Sequence, residues 1–487
     1  MGVGDSPVPP NLVLIIMDGA RAASIAGHGG SRTARTPALD RLRSEGTFFS
    51  HAVAPGNWTL PSHLSLFTAT LPWTHRLRTF RRGPSPLPTI ASWLSARGYD
   101  TALFTEEVHL IAGYGLEDGY QHRECPVPAQ SDEERTITNR IFGHSNWLYS
   151  ERIRRLMAAL PPAALPLTWP NHRAEIAFKR LVTSGSLVDG FERWLSSRDR
   201  SRPFHAFFNF VDPHEPYEVG TGPDHPGILA SRYAGVPRFY LLTVPKLREL
   251  VPWREVESKY LACLEEVDRK VARVRADLEA AGELDRTLFV VTSDHGQSFG
   301  EGGNVYHGCG ATDSVLRVPL VVRPPEGADI PRVVDRWVSI CDVPSWLKAS
   351  ALGSPPFDKD GFPMVPFPVL APAPEPVLAE GGPASDPNLS LRGIGMDHRW
   401  NHRLVAAYRG TEKYVLDLFV GDLRMWSAGS APDRDPPAHL SSDEAKKLLP
   451  ILFGIREPRQ LSDETDRGMT PPRQPLDDRR MRSWGYD

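Results

Sequence analysis

Two long apolar runs that each end in an acid constrain the fold of this 487-residue chain more than any other feature. The run N-L-V-L-I-I-M-D covers residues 11–18, and T-L-F-V-V-T-S-D covers residues 287–294. Continuous apolar runs of this length are typical of parallel strands that are covered on both faces. Helical segments at 37–45, 86–97 and 255–281 alternate with such strands. This alternation predicts an α/β fold with a doubly wound, mostly parallel sheet.

The composition excludes several classes of protein. Hydrophobic residues make up 40% and charged residues 24%, which excludes a disordered or fibrous chain. The net charge of −3 argues against a nucleic-acid-binding protein. No signal peptide or membrane-spanning run is visible, so no membrane partner is expected. The four cysteines form no closely spaced pair, which predicts reduced thiols and a cytoplasmic protein.

The acids that end the two apolar runs are candidate metal ligands. Asp18 and Asp294 would lie at the carboxyl ends of their strands, where α/β sheets gather ligands. Two carboxylates there can hold one divalent cation, and His295 adds a nitrogen ligand. The alternative is that each acid caps the helix or turn that follows it.

A hydroxyl group in the segment W-T-L-P-S-H, residues 58–63, is a candidate nucleophile. Thr59 precedes Pro61, and the sequence predicts that a helix starts near Ser62. The amino end of that helix would favour an anion. A hydroxyl beside a metal and a helix amino end can attack a phosphoryl or sulfuryl group. The alternative is an ordinary N-cap residue.

Two histidines in loops are further candidates for catalysis. His214 lies in V-D-P-H-E-P-Y, after another apolar strand, and Asp212 is placed to orient it. His307 lies in N-V-Y-H-G, within a glycine-rich stretch. Either ring could protonate a leaving oxygen or contact an anionic substrate. The alternative for each is an incidental loop histidine.

The order of these segments resembles the sulfatase family of the alkaline phosphatase superfamily over most of the chain. The matching segments are N-L-V-L-I-I-M-D-G-A-R, T-L-P-S-H-L-S-L-F-T-A-T-L-P-W-T-H, F-V-D-P-H-E-P-Y and T-S-D-H-G-Q-S-F-G-E-G-G. The resemblance implies a hydrolase of sulfuric or phosphoric esters that binds a divalent metal. It implies metal binding by the two strand-end acids and His295, and it places Thr59 at the nucleophile position. It also implies that His63 and His75 lie in the substrate-binding part of the site.

The sequence departs from the family pattern at three positions that affect the chemistry. Typical sulfatases carry a Cys or Ser in C-x-P-S-R that is oxidised to formylglycine, whereas this chain has Thr59 there and His63 in place of the Arg. Oxidation of a threonine gives a ketone, so no formylglycine is expected. This favours phosphate or phosphonate esters as substrates. Gly19 stands where many sulfatases have a second Asp. One divalent cation is therefore expected, Mn²⁺ or Zn²⁺ rather than Ca²⁺ because a histidine belongs to the ligand set.

These observations predict an alkaline-phosphatase/sulfatase-like α/β fold with a central mixed, mostly parallel sheet and a smaller C-terminal α+β subdomain. The catalytic domain is predicted at residues 1–352 with an insert at about 125–175. A Pro-rich linker is predicted at 353–387, and the C-terminal subdomain with a terminal helix at 388–487. The predicted substrate is a small anionic ester. A transferase with a non-water acceptor and a non-catalytic anion-binding relative are the alternatives, and the oligomeric state cannot be predicted.

Overall fold

The structure is a computed structural model, and it describes most of the predicted catalytic domain and part of the C-terminal region. The described residues are 9–77, 85–126, 186–217, 249, 251–365, 376–382, 403–426 and 437–453, except 112, 362 and 419–420. The predicted insert at 125–175 and the predicted helix at 477–484 lie outside the described residues, apart from 125 and 126.

Nine of the described strands form one central sheet. In chain order, the strands up to residue 339 are β1 (Asn11–Met17), β2 (Thr47–Val53), β3 (Asp100–Thr105), β4 (His122–Glu124), β5 (Phe204–Phe210), β6 (Thr287–Thr292), β7 (Ser298–Phe299), β8 (Val305–Tyr306), β9 (Arg317–Val318), β10 (Leu320–Arg323) and β11 (Val333–Ser339). The order in the sheet is β11-β2-β10-β6-β1-β5-β3-β4, with β9 beside β2, while β7 and β8 form a separate hairpin. Only β9 and β10 run antiparallel to their neighbours among these nine strands.

Helices cover both faces of the sheet. They are α1 (Pro37–Glu45), α2 (Thr59–Thr68), α3 (Pro72–His75), α4 (Ile90–Ser95), α5 (Ser186–Ser197), α6 (Trp253–Ala280), α7 (Asp313–Leu316) and α8 (Val343–Ala351). Short 3-10 turns lie at Ala22–Ser24, Val108–Ile111, Leu284–Arg286, Glu301–Gly303 and Ile340–Asp342.

The alternation of side chains along β1 explains why both faces are covered. Val13 and Ile15 pack in one core together with α1, α5 and α6. Leu12 and Leu14 pack in a second core together with α2, α4 and α8. Because successive side chains of a strand point to opposite faces, a continuous apolar run serves both cores. The predicted mixed, mostly parallel α/β sheet is confirmed.

The register of the central strands brings their carboxyl ends to one edge. β1 runs parallel to both β5 and β6, and Ile15 pairs with Phe208 on one side and Val291 on the other. The residues that directly follow these three strands therefore meet at the same edge of the sheet. The candidate ligands Asp18 and Asp294 are among them.

A second sheet is antiparallel and lies in the C-terminal part of the chain. Its strands are β12 (Val377–Gly381), β13 (Leu404–Arg409), β14 (Glu412–Asp417), β15 (Leu423–Trp426) and β16 (Ala438–His439), and helix α9 (Ser442–Phe453) packs with it. β12 falls inside the predicted linker at 353–387, so the boundary at 388 is placed too late. The prolines before residue 377 obscure this short strand in the sequence, and its pairing with β13 stabilises it.

Two further observations concern membrane-spanning helices and the state of the cysteines. In the described part of the chain, no helix combines the length and the apolar character that a membrane span requires. All four cysteines are free thiols.

Candidate active site

The carboxyl edge of the central sheet brings the predicted metal ligands together. Asp18 follows β1, and Asp294 and His295 follow β6, and all three are completely buried. One ligand atom from each lies within 4.8 Å of the other two. Residues that are more than 270 positions apart in the chain thus form one triad, which we call the primary triad.

Three hydrogen-bond acceptor atoms of the primary triad, one from each residue, face one another. His295 Nε2 lies 3.5 Å from Asp18 Oδ1 and 3.4 Å from Asp294 Oδ2. His295 Nδ1 lies 2.9 Å from the carbonyl oxygen of Gly296, which assigns the ring proton to Nδ1 and leaves a lone pair on Nε2. Neither of the two carboxylate oxygens has a hydrogen-bond partner in the described structure.

A divalent cation fits this arrangement. Buried acceptors without donors are costly, and a cation satisfies all three at once. Burial raises the pKa of both Asp18 and Asp294 to about 7, and the neighbouring Asp294 carboxyl adds to the rise in the pKa of Asp18. The donor set of two oxygens and one nitrogen suits Mn²⁺ or Zn²⁺.

The outer oxygens of the two carboxylates are anchored. Asp294 Oδ1 accepts the backbone N–H groups of His295 at 2.9 Å and Gly19 at 3.3 Å. Asp18 Oδ2 accepts the side-chain amide of Asn209 at 3.2 Å. The two other oxygens, Asp18 Oδ1 and Asp294 Oδ2, are thereby held facing His295, and we call them the inner oxygens.

Thr59 is the first residue of α2, and its hydroxyl faces the primary triad. Thr59 Oγ1 lies 3.4 Å from His295 Nε2. The N-cap residue Trp58 provides no capping side chain, so N–H groups of the first turn remain available to an anion. The helix begins at Thr59 and not near Ser62 as the sequence suggested. Pro61 lies in the first turn, where its missing N–H costs no hydrogen bond.

His214 and His307 lie next to the primary triad. The ring of His307 stacks on that of His295 with centroids 4.3 Å apart, and the ring of His214 lies 4.6 Å from that of His307. Glu215 Oε2 lies 3.4 Å from His307 Nδ1 and 3.7 Å from His214 Nδ1. Gln297 connects them, because its Nε2 donates to Glu215 at 2.6 Å and its Oε1 lies 3.0 Å from His307 Nδ1.

Comparison with known proteins decides the family. The family model described as Sulfatase matches residues 10–349, which is well over half of the chain. The chain belongs to the sulfatase family. The sequence-based assignment is therefore confirmed.

Individual relatives are distant. Mouse iduronate 2-sulfatase is 25% identical over 65% of this chain and 59% of its own length. Mouse steryl-sulfatase is 25% identical over 70% of this chain and 61% of its own length. The chain thus matches about three fifths of these curated relatives. Among solved structures, the phosphonate monoester hydrolase of Agrobacterium radiobacter has a TM-score of 0.59 at 22% identity, with 94% of this chain and 96% of that chain covered, and it supports the fold.

The departure of this chain from the family pattern at position 19 coincides with a special backbone conformation. Gly19 has a φ of +79°, in the left-handed region that glycine adopts without steric cost. This conformation aims its N–H at Asp294 Oδ1. An aspartate at position 19 would be strained in this backbone, whereas glycine is not.

The rings of His63 and His75, which sequence analysis assigned to substrate binding, contact groups of α2 in the structure. The buried His63 ring lies 2.9 Å from the carbonyl oxygen of Thr59 through Nδ1 and 3.1 Å from Asn209 Nδ2 through Nε2. His75 Nδ1 accepts the N–H of Leu77, and its Nε2 lies 3.1 Å from the carbonyl oxygen of Pro61. Both histidines thus contact backbone carbonyl groups in the first turn of α2, and His63 Nδ1 also lies 3.4 Å from Asp294 Oδ2 of the primary triad.

Sequence reasoning missed Asn209. Its amide nitrogen lies within hydrogen-bond distance of both Asp18 and His63, so it connects the primary triad to α2. Burial lowers the pKa of His63 to about 4, which keeps the ring neutral and able to accept this hydrogen bond. The signal was present, because Asn209 is a polar residue near the end of the apolar strand F-H-A-F-F-N-F.

A buried ion triad holds the loop that carries His214. Lys270 Nζ donates to Glu106 at 2.7 Å and to Asp212 at 2.8 Å. Glu106 also accepts the N–H of Val211 at 2.9 Å. The predicted orienting partner of His214, Asp212, thus pairs with a lysine of α6.

Replacing Lys270 with methionine is expected to destabilise the fold by about 3 kcal/mol or more. The change leaves Glu106 and Asp212 without their cation, while both side chains are almost completely buried. Urea unfolding of the variant measures the loss. Lys446→Met is the matched control, since its side chain is 71% exposed and little change is expected. Unchanged stability in Lys270→Met would contradict the assignment of this triad.

Removal of divalent metal is expected to make stability fall as the pH rises. The pKa of Asp18 and of Asp294 rises from 3.8 to about 7 on folding, so the metal-free folded state holds more protons than the unfolded state between these values. Stability is then highest at low pH and is lost as the pH rises through about 7. The thermal midpoint of chelated protein should decline from pH 5 to pH 8. Added Mn²⁺ or Zn²⁺ should restore it at pH 8 far more than at pH 5, and equal effects at both values would refute a carboxylate site.

Proposed function

We propose that this chain hydrolyses phosphoric or phosphonic esters, or sulfuric esters, with a divalent cation and with Thr59 as the nucleophile. The proposal rests on one observation: three acceptor atoms of the primary triad lie close together beside the Thr59 hydroxyl, at the amino end of α2. His295 Nε2 is the common atom, 3.4 Å from Thr59 Oγ1 and 3.4 and 3.5 Å from the two inner carboxylate oxygens. Membership of the sulfatase family supports an ester-bond hydrolase.

Asp18, Asp294 and His295 would hold the cation, which supplies positive charge to the ester oxygens and favours the alkoxide of a nearby hydroxyl. Thr59 is held by α2, whose first-turn N–H groups face the same anion. The Thr59 hydroxyl would lose its proton to solvent, and its oxygen would form the bond to phosphorus or sulfur while the bond to the ester oxygen breaks and that oxygen takes a proton from solvent. A water molecule would then attack the same phosphorus or sulfur; its hydroxyl stays on the released acid and its other proton returns to the Thr59 oxygen as that bond breaks.

The chemistry of threonine favours phosphorus over sulfur. A formylglycine diol releases sulfate by returning to the aldehyde, and a sulfated threonine has no such route. A phosphorylated threonine can be hydrolysed by attack of water at phosphorus. We therefore propose phosphate or phosphonate esters as the preferred class. The fold-level similarity to a phosphonate monoester hydrolase is compatible with this preference.

His214 and His307 would act on the charge that develops at the leaving oxygen. Burial is the main cause that lowers the pKa of His307 to about 3, so this ring is neutral at ordinary pH. A neutral ring whose Nδ1 faces Gln297 and Glu215 is a poor proton donor to a substrate. Stabilisation of charge is thus the role that we assign to this pair.

The test is turnover of four esters that share one aryl leaving group: a sulfate, a phosphate monoester, a phosphodiester and a phosphonate monoester. Each is assayed with Mn²⁺, with Zn²⁺ and with chelator. We expect metal-dependent turnover with a phosphorus ester preferred. Added alcohol that diverts the product to a new ester would instead indicate a transferase, and absence of both turnover and bound metal would indicate an anion-binding relative.

The free thiols are consistent with a reducing compartment, and we propose a cytoplasmic location on that basis.

A further inference from the structure

A buried asparagine lies two residues before Thr59, in the loop between β2 and α2. Asn57 is 2% exposed, and its side-chain amide donates to the carbonyl oxygen of Gly310 at 2.9 Å and to that of Gly382 at 3.1 Å. Its own carbonyl oxygen accepts the N–H of Gly308 at 2.7 Å. One residue thus connects three separate parts of the chain.

Two of these parts carry residues of the candidate active site. Gly308 directly follows His307, whose ring stacks on that of His295 with centroids 4.3 Å apart. Thr59 Oγ1 lies 3.4 Å from Nε2 of the same His295 ring. Asn57 therefore joins the two elements that place Thr59 and His307 around one ring of the primary triad. Because a misplacement of about 1 Å can cost about 100-fold in rate, this connection bears on turnover as well as on stability.

The third part is the C-terminal sheet. Gly382 directly follows β12, and the N–H of Glu380 in β12 donates to the carbonyl oxygen of Pro55 at 2.8 Å. A Cβ atom built at Gly381 would lie 2.2 Å from the carbonyl oxygen of Gly310, so this close approach of two backbones requires glycine. The end of β12 therefore packs directly against the loop that leads to α2 and the loop that contains Gly310.

We propose that Asn57 is a positioning residue, which fixes Thr59 and His307 relative to each other and couples their placement to the C-terminal sheet. This inference rests on the proposed function, because it concerns the placement of the nucleophile. An amide suits the role, since its two N–H groups can donate to two carbonyl oxygens at once. The competing interpretation is that Asn57 only satisfies two buried carbonyl groups and so stabilises the fold.

The two interpretations predict different kinetics for Asn57→Ala. This change removes both donated hydrogen bonds and keeps Thr59 and the primary triad. We expect kcat to fall about 100-fold, with KM for the preferred aryl ester within about threefold and with the same amount of bound metal per chain. Orthovanadate, which adopts the five-coordinate geometry of phosphoryl transfer, should bind about 100-fold more weakly to the metal-loaded variant, and inorganic phosphate should bind within about threefold.

Two further variants make this result specific. Asn11→Ala removes another buried side-chain amide, which donates to Glu283 at 2.8 Å at the far end of β1, and it should lower the thermal midpoint without lowering kcat. Gly381→Ala keeps Asn57 but forces β12 and the carbonyl group of Gly310 apart, and it should reproduce the loss of kcat. Gly381→Ala therefore tests the proposal even where Asn57→Ala does not fold, and circular dichroism verifies folding of each variant.

A lower thermal midpoint in Asn57→Ala, with kcat and vanadate affinity unchanged as in Asn11→Ala, would overturn the positioning role. Loss of kcat in Asn57→Ala but not in Gly381→Ala would remove the C-terminal sheet from it.

The positioning role and the proposed function fail separately. Turnover by the unaltered chain that Asn57→Ala fully retains would overturn only the positioning role. Absence of turnover in the unaltered chain, with vanadate binding that Asn57→Ala weakens, would overturn only the hydrolase. A chain that neither turns over an ester nor binds vanadate would overturn both.

Discussion

Replacing Thr59 with alanine is expected to lower kcat by at least about 10³-fold, because loss of a nucleophile removes the covalent route entirely. This corresponds to about 4 kcal/mol of the activation free energy. The fold should survive, since Thr59 is only the first residue of α2 and the side-chain contact that the change removes, from Thr59 Oγ1 to His295 Nε2 at 3.4 Å, lies within the site. The measurement is steady-state turnover of the preferred aryl ester, with bound metal quantified in parallel.

Two further variants make the Thr59 result specific. Thr59→Ser keeps the hydroxyl and should retain turnover within about 10-fold of the unaltered chain. Thr411→Ala removes a hydroxyl from an exposed turn and should have no effect. Rapid acid quenching during turnover should reveal a mass increase on the peptide that contains Thr59. Full turnover in Thr59→Ala, with metal bound, would remove Thr59 from the mechanism.

The parts of the site that sequence predicted are those attached to strand ends. Asp18 and Asp294 end apolar runs, and parallel strands place such residues at a common edge. The sequence therefore indicated a cluster although 275 positions separate the Asp294 carboxylate from its backbone partner Gly19. His295 follows from the same logic because it is adjacent in sequence to a strand-end acid.

The parts that sequence did not predict depend on contacts between separate elements. Lys270 on α6 meets Glu106 and Asp212 across 164 and 58 positions, and no pattern in any one segment encodes that meeting. Gln297 reaches Glu215 in the same manner, across 82 positions. The surroundings of His63 could not be predicted, because its alignment with a family arginine says nothing about burial, and only the fold places its ring against Asn209.

Replacing Asp294 with asparagine is expected to weaken metal binding at the primary triad by at least about 100-fold and to lower turnover by about 10³-fold at limiting metal. The amide keeps the size of the carboxylate, and its oxygen can still accept the N–H groups of Gly19 and His295. Its nitrogen replaces the inner oxygen, so a donor now faces His295 Nε2 where an acceptor did before. The substitution therefore removes one metal ligand, and it also removes the unfavourable contact between two acceptor atoms, Asp294 Oδ2 and His295 Nε2.

Two opposite effects should therefore appear in the Asp294→Asn variant. At pH 8 and without metal it should unfold at a higher temperature than the unaltered chain, because one buried carboxylate with a pKa raised to about 7 is gone. With saturating metal the order should reverse, because binding stabilises the chain that has the tighter site. Asp443→Asn, at a side chain that is 88% exposed, should change neither value. If the variant is less stable than the unaltered chain in both conditions, Asp294 serves the fold and not a cation. The reason is that only a cation site requires the three acceptor atoms of the primary triad to face one another.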